Sequence, residues 1–179
     1  AICDHLQAVA DNQIKNLIIN IPPRYMKSLS VSVFFPCWLW TTRPSLRYLF
    51  SSYSSDLSLR DSVKSRRLIQ SLWYQARWGG TFQLTSDQNQ KTRFDNDKMG
   101  YRFSTSVGGL ATGEGGDYII VDDPHNVKQT ESAVQRKTAL DWWFETMSTR
   151  VNDPESCHKI VVMQRLHEND LTGAILERD

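Results

Sequence analysis

Short apolar runs alternate along the chain with longer stretches whose apolar positions recur at helical spacing. The runs "LIINI" (17–21), "RYLFSSY" (47–53), "YIIVDD" (118–123) and "KIVVMQ" (159–164) are strand-length, β-branched or aromatic, and apolar on both faces. Central strands of a parallel sheet carry that pattern. Between them "KSLSVSVFFPCWLW", "SDLSLRDSVKSRRLIQSLWY" and "ESAVQRKTALDWWFETMSTR" read as helices, the last with Ala133, Leu140, Phe144 and Met147 close to one face. This succession predicts an α/β domain of three layers, with a mostly parallel central sheet. Residues 82–112 break the rhythm: "TFQLT" and "TRFDNDKMGYRFSTSVGG" alternate and turn, which predicts an antiparallel hairpin at a sheet edge. A last helical pattern covers 169–177, with Asn169 or Asp170 as its cap.

A chain of 179 residues, 40% hydrophobic and 23% charged, fits one globular domain, residues 1–179. The most apolar run, "VSVFFPCWLW" (31–40), holds Pro36 and falls far short of the roughly 20 residues needed to span a bilayer, so it reads as a buried helix. Net charge is +1, yet residues 41–102 carry eleven Lys and Arg against five Asp and Glu, and residues 103–179 carry seven against thirteen. A basic middle and an acidic end fit a surface that meets phosphate on one side and a metal or basic partner on the other; two solvated faces fit equally. Cys3, Cys37 and Cys157 lack pairing or zinc-like spacing, which points to a reducing compartment and a cytosolic protein. The chain lacks an initiator Met and a signal peptide and stops at "LERD" just after a helical pattern, so it reads as a piece of something longer.

The stretch "NLIINIPPRYMKSLSVS" (16–32) sets a strand, a loop and a Lys-Ser in succession. That order places backbone N–H groups and a helix start around a phosphate chain, with Lys27 on the β/γ-phosphates and Ser28 on Mg²⁺. Against G-x-x-x-x-G-K-[ST], however, the two glycine positions hold Ile21 and Met26, and a plain capped helix explains the dipeptide as well. "YIIVDDP" ends an apolar strand in two carboxylates, at the sheet edge where ligands of open α/β sheets collect. There Asp122 suits Mg²⁺ and Asp123 suits orienting and deprotonating a water; a strand-terminal turn is the competing account. Gln164 and Arg165 follow the fourth strand, placed to sense a γ-phosphate and couple its loss to movement.

Five ordered blocks, "IINIPPRYMKS", "SSYSSDLS", "FSTSVGGLATGEGGDYIIVDDPHN", "LDWWFETMSTRV" and "VVMQRLHENDLTG", resemble the ATPase domain of tailed-phage and prophage terminase large subunits, the motors that package DNA into procapsids. The resemblance covers nearly the whole chain and implies a P-loop ATPase whose phosphate loop is built as PPR-x-x-KS, spanning Pro23, Arg24, Tyr25, Met26, Lys27, Ser28 and Leu29. It implies Lys27, Arg24 and Asp123 as catalytic, Ser28 and Asp122 as Mg²⁺ contacts, and Gln164 with Arg165 in the coupling motif. The implied ligands are ATP and Mg²⁺. The implied partners are double-stranded DNA held by its backbone, a terminase small subunit, a portal protein and further copies in a ring, in the host bacterial cytoplasm and away from membranes. Many relatives carry Gly where Met26 stands; a side chain there is tolerable if its φ is negative, or if the loop offsets the strain. Glu114 stands where some relatives have an arginine, which leaves Arg165 or Arg150 as candidates for an arginine finger. The family's nuclease half has no counterpart here, so the chain is expected not to cut DNA. Tyr53 and Asp56 are expected near the nucleotide.

Other features have plainer readings. Arg60, Lys64 and Arg67 share one helix face, which suits either a DNA backbone or solvent. His125 and His167 read as hydrogen-bonding or surface residues, since no clustered ligand spacing accompanies them. The six tryptophans, Trp38, Trp40, Trp73, Trp78, Trp142 and Trp143, read as packing residues. Two further functional readings stand beside the motor: an inactive prophage remnant serving as a scaffold for portal, small subunit or DNA, and a nuclease metal site made of Asp122, Asp123 and His125.

Overall fold

A computed structural model of the chain describes residues 1–109 and 113–178. Its element order is α1 (Ile2–Ala10), β1 (Asn16–Asn20), α2 (Phe35–Leu39), β2 (Arg47–Ser52), α3 (Ser55–Gln70), α4 (Leu72–Trp78), β3 (Leu84–Asn89), β4 (Arg93–Asn96), β5 (Tyr101–Ser106), β6 (Tyr118–Asp122), α5 (Val127–Glu131), α6 (Ala133–Asp141), β7 (His158–Met163) and α7 (Leu171–Leu176). The strands form one sheet in the order β1-β7-β6-β2-β5-β4-β3. Every pairing from β1 to β5 is parallel, and β4 and β3 extend the edge antiparallel.

Alternation along the strands builds two cores, one on each face. Tyr48, Phe50, Tyr118, Ile120, Ile160 and Val162 pack against α1, α2 and α4. Their neighbours Leu49, Ile119, Val121, Val161 and Met163 pack against Trp142, Trp143, Met147 and Leu171. Helix, sheet, helix is the expected three-layer arrangement, and the edge hairpin is present as β3 and β4.

Four expectations change. β5 joins β2 in parallel over all six residues, so only part of 82–112 is hairpin; the far end of that segment, with Ala111 and Thr112 of the third motif block, lies outside the described residues. The helical stretch 55–74 is two helices, because Ser71 turns extended (ψ 147°) and its hydroxyl caps α4 by accepting from the Tyr74 amide. The stretch 131–150 breaks at Ser132, continues as α6, and widens to a π-turn at Trp142–Thr146. Ala139, Trp142, Trp143 and Met147 are buried, whereas Ala133, at the start of α6, is exposed. Finally, Trp40, Trp142 and Trp143 are core residues, but Trp38 and Trp73 keep about half their surface in solvent (44% and 54%).

Candidate nucleotide site

The parallel order sets β7 between β1 and β6, so the loops leaving these three strands meet at one sheet edge. They enclose, with α3, a cavity of about 430 Å³ lined by Lys27, Ser28, Asp122, Asp123 and Gln164 among others. Pro23, Arg24, Met26 and Leu29 line it too, whereas Tyr25 projects into solvent, 65% exposed.

The loop after β1 is held at its start by the Ile21 amide, which donates to the Met163 carbonyl (3.0 Å), and at its end by a Ser30-to-Met26 backbone bond (2.9 Å). Between these points Arg24 (φ 70°) and Met26 (φ 59°) are both left-handed. Met26 therefore has the positive φ that makes glycine natural before the Lys, and the strain falls to the loop to offset. The Met side chain lies at the cavity mouth, 60% exposed.

Lys27 opens a helical run that continues to Leu39, through a π-turn at Leu29–Phe34. Its ammonium is buried and sits 2.5 Å from Asp123 Oδ1. The same oxygen accepts from the Gln164 amide (3.1 Å). Asp123 is itself left-handed (φ 46°), and its carbonyl accepts from the Tyr53 amide (3.0 Å). One carboxylate thus ties together the loops after β1, β6 and β7, and its backbone ties in the loop after β2.

Asp122 lies deeper, 7% exposed. Ser32 Oγ donates to its Oδ2 (3.0 Å), while Oδ1 is buried without a hydrogen-bond partner. Burial pushes its carboxyl up to about 6, opposed by the nearby Ser28 hydroxyl and the Ser32 hydrogen bond and reinforced by the Asp123 charge. An orphaned carboxylate oxygen beside a serine hydroxyl is a hard-oxygen donor set that suits Mg²⁺.

Other expected residues fall elsewhere. Arg165 follows Gln164 but its Nε donates to Asp170 (3.0 Å) and its Nη2 to the His167 and Glu168 carbonyls, so it binds its own loop. Glu114 pairs with Arg93 (2.6 Å) near the antiparallel edge, and neither Glu114 nor Arg150 lines the cavity. Tyr53 donates its backbone amide to the Asp123 carbonyl, Asp56 is exposed, and neither lines the cavity. His125 is buried, and its Nε2 accepts from the Leu171 amide (3.1 Å); His167 Nδ1 accepts from the Asn169 amide. Asp170, not Asn169, caps α7, through the Gly173 amide (3.1 Å). Among the described residues no group of three or more His, Cys, Asp and Glu side chains could hold a metal, and no helix is long and apolar enough to cross a membrane.

The sequence reading missed Ser32, Asp61 and Arg102, all of which line the cavity. Arg60 and Lys64 line it as well, each paired with the buried Asp61 (3.0 and 3.1 Å). Their i, i+4 spacing was visible, but the acidic residue between them, which turns both inward, carried no motif.

With fold and site in view, the chain proves similar in fold to a phage large terminase. Solved structures similar to it include the large terminase from a thermophilic bacteriophage in one crystal form (9% identity, TM-score 0.51, 89% of this chain and 38% of that one) and the same terminase in complex with ADP (9%, 0.50, 89% and 37%). The chain therefore spans under two fifths of the length of these neighbours. No family model matches the sequence, and no curated protein does.

Proposed function

We propose that this chain is the ATPase motor domain of a phage terminase large subunit, coupling Mg²⁺-ATP hydrolysis to translocation of double-stranded DNA into a procapsid. The observation that carries the reading is Lys27, Ser28, Asp122, Asp123 and Gln164 lining one cavity, on loops from three adjacent parallel strands. The ADP complex of a protein with a similar fold supports it. Lys27 neutralises phosphate charge, and Arg24 on the cavity rim adds to it. Ser28 and Asp122 would hold Mg²⁺, which supplies positive charge at the phosphate oxygens. Asp123 is the group to take a proton from an attacking water once Lys27 exchanges it for phosphate. That exchange frees the oxygen that also holds the Gln164 amide, which gives the coupling motif a direct mechanical link to the nucleotide. The partners that complete this reading are DNA held through its backbone, a small subunit, a portal protein and further copies in a ring, in the host cytoplasm.

A second reading, an inactive remnant serving as a scaffold, draws on the left-handed Met26. Steady-state ATP hydrolysis with Mg²⁺, with and without double-stranded DNA, separates the two. Turnover that DNA stimulates and Asp123→Asn abolishes supports the motor; nucleotide binding without turnover, DNA present, supports the remnant.

A further inference from the structure

The cavity floor holds a charge that the mechanism above does not use. Arg102 on β5 is 1% exposed, and a guanidinium is seldom buried without a task, because desolvating it is costly. Burial pushes its pKa down to about 10, against the pull of Asp61 and Asp122. Its Cζ sits 3.6 Å from the centre of the Phe50 ring. Its Nη1 donates to the Ser32 carbonyl (2.5 Å) and to Ser65 Oγ (3.0 Å). Ser65 Oγ in turn donates to the Asp61 carbonyl (3.1 Å), within α3. One side chain thus joins β5, α3 and the π-turn at Leu29–Phe34.

The residue it grips in that turn is the one that reaches Asp122. Ser32 gives its carbonyl to Arg102 and its hydroxyl to Asp122 Oδ2 (3.0 Å). π-turns are rare and collect at functional sites, since the extra residue leaves the helical ladder locally imperfect. A charged donor on the Ser32 carbonyl compensates for such a turn from outside the helix.

We propose that Arg102 is a positioning residue of the nucleotide site: it fixes the π-turn so that Ser32 holds one oxygen of Asp122 and turns the other, unpaired, toward the cation position. The first half stands on the contacts alone; the second rests on the nucleotide reading given above.

Amide hydrogen exchange of the ligand-free chain tests the first half. Arg102→Met should speed exchange across residues 29–34 about tenfold or more, the loss expected when a charged hydrogen bond is removed, with β1 and β6 unchanged. Unaltered exchange at 29–34, or a uniform rise everywhere, overturns the strut. Ser32→Ala, which deletes only the hydroxyl and keeps the carbonyl, covers the case in which Arg102→Met does not fold. It should leave exchange at 29–34 as in the parent and reduce the gain in affinity for a fluorescent ATP analogue on adding Mg²⁺ about tenfold. An undiminished Mg²⁺ gain in Ser32→Ala overturns the link to Asp122. No nucleotide binding by the parent chain overturns that link together with the nucleotide reading, while the exchange result still decides the strut.

Discussion

Two loops that leave the sheet at the same edge are built on opposite principles. The loop after β7 is knitted by its own side chains: Asp170, fully buried, accepts from Arg165 Nε (3.0 Å) and from the amides of Leu166 (3.1 Å), His167 (3.4 Å) and Gly173 (3.1 Å), while His125 secures the Leu171 amide. The loop after β1 has two prolines, two left-handed non-glycine residues, and, from Pro22 to Met26, no side-chain hydrogen bond among the described residues. The first finds its partners within the protein, most of them in the loop itself. The second carries backbone strain, and its next residue, Lys27, is neutralised by a carboxylate from another strand. On the proposed nucleotide reading, the loop after β1 is the ligand-dependent one, since a phosphate group would supply the partners that the chain itself does not.

The largest test of that contrast is Asp170→Ala. Removing a buried carboxylate with four partners should lower unfolding free energy by about 3–5 kcal/mol, seen as a lower melting temperature and denaturation midpoint. A change within 1 kcal/mol, roughly that of a surface site, would dissolve the distinction between the loops. Next comes Asp122→Asn, on the open side. A carboxyl raised by burial to about 6 contributes fully below its unfolded pKa, and that contribution is lost as pH rises through 6. Without divalent metal at pH 7.5, Asp122→Asn should therefore be the more stable protein by roughly 1–3 kcal/mol, although it would lose the proposed Mg²⁺ contact. Chemical denaturation of both proteins in chelator reads this directly.

Acid should strike the knitted side first. Burial depresses the pKa of His125, and that of His158, whose ring contacts the Ile14 carbonyl and Asn12. For such groups stability is whole above the unfolded value near 6.5 and declines as pH falls toward the folded one. A protonated His125 cannot accept from the Leu171 amide. The melting temperature should thus fall below pH 6.5, and His125→Gln should flatten that limb. The smallest effect is that of Met26→Gly: relief of left-handed strain, about 1 kcal/mol, offset in part by a more flexible unfolded chain. Near-unchanged stability with few-fold tighter nucleotide binding is expected. Weaker binding would mean that the exposed Met side chain itself contacts ligand.

The strands, and the loop-to-helix turn at Lys27, were legible because their signals are local. "LIINI" and "YIIVDD" are apolar on both faces wherever they are placed, and a Lys-Ser after a strand reads as a helix start whether or not it meets a ligand. β5 was not legible: "YRFSTS" alternates as an edge strand does, and only its long-range partner β2 makes it central. Arg102 was hidden for the same reason, since the groups that hold its Nη1 and face its guanidinium come from α3, β2 and the π-turn, while its Nε and Nη2 stay unpaired. The helix breaks at Ser71 and Ser132 follow from serine caps inside long periodic stretches, where either reading of the serine fits the periodicity. Met26 was flagged in the sequence as the odd residue at a glycine position, but its φ is a property of the folded loop.

Whether the open loop receives phosphate is measured most directly by titrating a fluorescent ATP analogue with Mg²⁺ into the chain and into Lys27→Ala. Micromolar affinity that falls about a hundredfold in the variant, the effect of losing a buried cation on phosphate, is the predicted result. Equal affinity for both proteins, or no binding by either, would contradict the nucleotide site.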